Sequence, residues 1–92
     1  MAHIDVAIET TTQCTLRIRK AGGHWPAPIV NPKHLTFDVA PGSYELVWTM
    51  TGNPGDKLKL SVSIGGVAKP AFEDQIPPGQ SGGGGGMILV VP

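Results

Sequence analysis

Cysteine is nearly missing from this 92-residue chain: Cys14 stands alone, so no intrachain disulfide and no thiolate zinc cluster can form. Charge is scarce as well. Asp, Glu, Lys and Arg make up 15% of residues, and seven bases balance seven acids. That balance argues against nucleic acid as a partner and against a polybasic membrane anchor. The longest apolar run, Met87 to Val91, falls far short of the ~20 residues a spanning helix needs. No basic segment followed by a long apolar one opens the chain, so no leader is visible and a cytoplasmic location is the expectation. A leader already removed, or a leaderless export route, stays open. Both asparagine–proline pairs, Asn31-Pro32 and Asn53-Pro54, exclude N-glycosylation there. Helical periodicity is also absent, and prolines break most gaps where a helix would sit.

What is present is alternation with period two. Ile4, Val6 and Ile8 point one way and Asp5 and Glu9 the other. Cys14, Leu16 and Ile18 then alternate with Thr15, Arg17 and Arg19. The polar break at Thr10–Gln13 between these runs reads as a hairpin turn. Leu35, Phe37 and Val39 form a third run, followed by a Pro41-Gly42 turn. Tyr44, Leu46, Trp48 and Met50 form a fourth, and Leu58, Leu60, Val62 and Ile64 a fifth. Gly65-Gly66 predicts a two-residue hairpin loop into Val67–Phe72. Met87–Val91, uncharged and strongly β-prone, is expected to pair within a sheet. Six or seven short strands at this spacing predict an all-β fold. We read it as one antiparallel β-sandwich over residues 1–92, immunoglobulin-like or a related Greek key.

Two long loops are expected, at about 21–34 and 73–86. The second ends in Gly82–Gly86, whose composition predicts a mobile linker. The first holds His24 and Trp25 among glycines and prolines, and a tryptophan outside any alternating run either plugs the fold or is displayed for binding.

Catalytic patterns fail on their chemistry. Gly79-Gln80-Ser81-Gly82-Gly83 fits the G-x-S-x-G nucleophile elbow, yet no His, Asp or Glu follows Ser81 to activate it. A copper site would use His3, Cys14, His24, His34, Met50 or Met87, but Cys14 lies far from any C-terminal ligand loop. Neither an enzyme nor a cofactor is expected. The leading expectation is a non-enzymatic binding or interaction module, with Trp25, His24, His34, Arg17 and Arg19 as the candidate binding residues. Its partner would be a protein or a small-molecule or carbohydrate ligand. The alternative is a structural subunit that self-assembles, as a homo-oligomer, or docks into a larger complex through exposed strand edges.

Overall fold

The computed structural model describes residues 2–92. Every regular element in it is a strand. β1 (Ala2–Thr10), β4 (His34–Val39), β6 (Lys57–Ile64), β7 (Val67–Ala68) and β8 (Phe72–Gln75) build one antiparallel sheet, sheet A. β2 (Gln13–Lys20), β3 (Ile29–Val30), β5 (Gly42–Thr51) and β9 (Gly82–Val91) build the other, sheet B. Sheet A runs β4-β1-β6, with β7 and β8 following one another along the far side of β6. Sheet B runs β3-β2-β5-β9.

The alternating sequence explains the layering. Ile4, Val6, Ile8, Leu58, Leu60, Val62 and Ile64 are the inward residues of sheet A. Cys14, Leu16, Tyr44, Leu46, Trp48, Met50, Leu89 and Val91 are those of sheet B. All belong to one buried cluster, so each sheet hides its apolar face against the other. No polar or charged residue is buried among the described residues.

Three expectations need correction. First, β1 and β2 are not a hairpin, because they lie in different sheets. Thr11 and Thr12 carry the chain from one layer to the other, and Thr12 Oγ1 donates to the carbonyl of Thr51 in sheet B. Second, Gly82–Gly86 is no linker. It is the first half of β9, paired residue by residue with Thr51–Val47 of β5. Residues 72–75 are likewise paired, as β8 with β6. Third, nine strands among the described residues replace six or seven, because β3 forms inside the expected first loop and the stretch after Gly66 divides. Ser63 pairs with Ala68, but Leu60 pairs with Phe72, so β7 and β8 are one interrupted strand with an extra residue. Pro70, which has no N–H to give the ladder, sits in that interruption. The expected Gly65-Gly66 turn is present, both glycines having positive φ (59° and 80°).

Candidate functional site

Arg17, Arg19 and Trp25 come together on the outer face of sheet B. Arg17 and Arg19 are outward residues of β2, and the exposed segment after it folds back so that Trp25 covers them. The Arg19 guanidinium carbon lies 4.1 Å from the centre of the Trp25 ring, and that of Arg17 lies at 5.8 Å. Such a stack contributes about 0.5–1 kcal/mol at an exposed site. Arg19 is otherwise committed. Its Nε and Nη2 donate to Glu45 Oε2 at 3.2 and 2.9 Å, and its Nη1 donates to the Gly23 carbonyl at 2.8 Å. Arg17 makes no ion pair among the described residues. Trp25 keeps 37% of its surface exposed, so one part anchors the loop while another faces solvent.

His24 is exposed in the same loop, but His34 is not part of this group. His34 begins β4 in sheet A, with its Nε2 3.6 Å from Asp5 Oδ1. The same carboxylate oxygen lies 3.2 Å from His3 Nε2, while His3 Nδ1 is 2.8 Å from Asp38 Oδ1. This chain of pairs crosses β1 and β4 because His3 stands opposite Asp38, and Asp5 opposite Thr36. The hydrogen bond to Asp38 and the charge of Asp5 push the His3 pKa up. Sequence reasoning missed it, since pairing across β1 and β4 had to be known first.

Other candidate chemistry finds no support. Ser81 precedes a strand, not a helix, and its carbonyl accepts from Gly52 N–H. The Cys14 thiol is buried and its pKa is raised by that burial, which makes it inert. No group of three or more His, Cys, Asp or Glu able to hold a metal occurs among the described residues. Among the described residues, no helix is long and apolar enough to cross a membrane.

The sequence reading named exposed strand edges without saying which strands form them. An edge strand offers unpaired backbone groups to any extended chain, and proteins commonly blunt such edges. β3 is two residues long, and β4 carries His34 and Asp38. The β7–β8 edge is interrupted at Pro70 and bears Glu73 and Asp74. β9 has none of these devices. It is ten residues long, holds no charge, and is paired on one side by β5. Ile88 and Val90, 71% and 64% exposed, project from its outer face.

Which backbone groups are free follows from the ladder. Gly52 N–H donates to Ser81 O, so Gly52 and Ser81 form a hydrogen-bonded pair with the register of β5 and β9. Hydrogen-bonded pairs alternate along an antiparallel ladder. Gly83, Gly85, Met87 and Leu89 therefore direct their N–H and C=O at β5. Gly82, Gly84, Gly86, Ile88 and Val90 direct theirs outward. Comparison with family models, curated proteins and solved structures found no match for the chain.

Proposed function

We propose that this chain is a non-enzymatic β-sandwich interaction module that joins other chains by accepting an extended strand along β9. The observation that carries the reading is the contrast among the edges. Each other edge is short, charged or interrupted, while β9 is long, uncharged and apolar. The two layers around one core support the sandwich, and its Greek-key character rests on the crossings. The connections β1→β2, β3→β4, β4→β5, β5→β6 and β8→β9 all pass between sheets.

A test uses a decapeptide of alternating Thr and Val with lysines at its ends. Added to dilute protein, it should shift backbone amide NMR signals of residues 82–91 and few others. Ile88→Pro removes a donor that faces away from β5, a placement that edge strands tolerate. That variant should fold and fail to bind. Shifts spread over the molecule, or binding unaffected by Ile88→Pro, would refute strand addition. A second reading places the contact at Trp25 and Arg17, supported by the exposed ring beside an arginine without an ion pair. It requires that Trp25→Ala weaken binding of a ligand while Ile88→Pro leaves it unchanged.

A further inference from the structure

We infer that the strand which β9 accepts is the β9 of a second copy of this chain, antiparallel and centred on Gly86. The inference rests on strand addition at β9 and adds the identity and register of the partner. Its basis is the profile of the strand itself. The residues whose backbone groups face the free edge are also those whose side chains face outward, and they read Gly82, Gly84, Gly86, Ile88, Val90. One half is bare and the other half bulky.

A two-fold axis normal to the sheet, passing between the two Gly86 residues, brings these halves together. It sets Ile88 opposite Gly84 and Val90 opposite Gly82 of the other copy. The branched side chains then lie over a backbone that carries no side chains, an arrangement in which cross-strand packing shields edge glycines. Every outward N–H and C=O of the five residues finds a partner in this register. A shift of two residues centres the pairing on Met87 and leaves Gly82 unpaired. A shift of one residue would set outward side chains against inward ones, which the pleat forbids.

Charge allows the approach. β9 has no ionisable side chain, and Glu45, opposite Ile88 on β5, is already held by Arg19. A homologous contact therefore brings no like charges together, whereas β4 against β4 would bring the ionisable His34 and Asp38 side chains of two copies to one edge. Area sets the strength. Ten residues at ~3.4 Å each, in a layer ~10 Å thick, give a footprint of about 300 Å² per copy. The total of about 600 Å² lies below the ~1,200 Å² of stable complexes. The pairing is thus a weak, concentration-dependent dimer held by backbone hydrogen bonds.

Sedimentation velocity from about 10 μM to 1 mM should show monomer passing to dimer, and Ile88→Pro should raise the dissociation constant at least tenfold. Register is read with cysteine variants, since buried Cys14 does not react. Gly86→Cys should cross-link to itself under mild oxidation, because paired Cα atoms lie within disulfide reach. Ile88→Cys should not, its two copies being four residues apart along the strand. Val90→Cys carrying a nitroxide gives an independent check at the outer end of the paired strands. Two such labels should lie about 27 Å apart, eight residues at ~3.4 Å. A chain monomeric at 1 mM, or a dimer whose cross-links and spin distance do not centre on Gly86, overturns the inference. If the monomeric chain still binds the Thr/Val decapeptide on β9, strand addition stands and the second copy does not. If neither binds, both fall.

Discussion

Gly85 is where the glycine tract and the core meet. A Cβ there would lie 2.9 Å from Cζ2 of Trp48, so the indole fills the space the missing side chain leaves. Gly84 is held for a related reason: its Cβ would stand 2.7 Å from the Trp48 carbonyl oxygen. Trp48 is 1% exposed, packs its ring against Phe72 at 4.8 Å between centroids, and donates its Nε1–H to Asp74 Oδ2 at 2.8 Å. Burial without an orphaned N–H follows from that last bond. Trp48→Ala should therefore cost about 3–5 kcal/mol in chemical denaturation. Gly85→Ala should cost about 1–3 kcal/mol through overpacking, although an exposed linker glycine would tolerate alanine. The buried Trp48 was legible from its alternating run. Its glycine and Asp74 partners were not, because composition alone makes five glycines look like a linker. Knowing that Gly85 stands opposite Trp48 reverses that reading. His3 gives a second prediction at this scale. Its folded pKa is raised, first by the hydrogen bond to Asp38 and then by the charge of Asp5. Protonation is thus favoured in the folded chain. Its contribution is complete below the unfolded value of about 6.5 and is lost as pH rises through the folded value. A proton NMR titration should show the His3 midpoint above the ordinary imidazole value of about 6.5. Asp38→Asn should bring it down.

At the scale of elements, the sequence held more than the hairpin reading took from it. Thr11 and Thr12 alone separate β1 from β2. A two-residue hairpin would pair Thr10 with Gln13, hence Ile8 with Thr15 and Val6 with Arg17. Cross-strand partners share a face of the sheet, so the apolar set of one strand would face the charged set of the other. Crossing between layers instead points both apolar sets inward, and that choice could have been read from the parity of the residues. Parity does not decide every crossing. Between β4 and β5 a hairpin pairing Val39 with Gly42 would set Phe37 beside Tyr44 and Leu35 beside Leu46. The chain crosses there too, because β4 pairs with β1 over His34–Val39. That pairing joins segments about thirty residues apart and leaves no local mark. The C-terminal run was expected to pair, and it does so with Gly42–Leu46 of its own chain. Leu89 and Val91 lie in the core, so removing residues 87–92 deletes two buried side chains and uncovers the edge of β5. The truncated chain should lose several kcal/mol by the large-to-small rule and precipitate near room temperature. A soluble truncated chain with an unchanged thermal midpoint would show that the pairing of β9 contributes nothing.

For the whole molecule, sequence neighbours are seldom sheet neighbours. β1 lies between β4 and β6, and β5 lies between β2 and β9. Among the described residues, only β6 with β7, and β2 with β3, pair with the element that follows them. The central pairings therefore close long loops before any local contact offsets the lost chain entropy. Closing β5 against β9 also fixes five consecutive glycines, each losing more conformational freedom than any other residue type would. Both effects fall on the folding step and act before the core is complete. Refolding should accordingly be slow for a chain of 92 residues, in the range of milliseconds to seconds that non-local β topologies show. Trp48 reports it directly, because its ring enters the core only when β9 and β8 have closed over it. Stopped-flow fluorescence after dilution from urea should give one dominant phase in that range. Gly85→Ala should leave the refolding rate almost unchanged and speed unfolding if β9 docks after the transition state. If β9 belongs to the nucleus, the same substitution slows folding. A microsecond refolding phase carrying the whole Trp48 signal would contradict the long-range pairing of the two sheets.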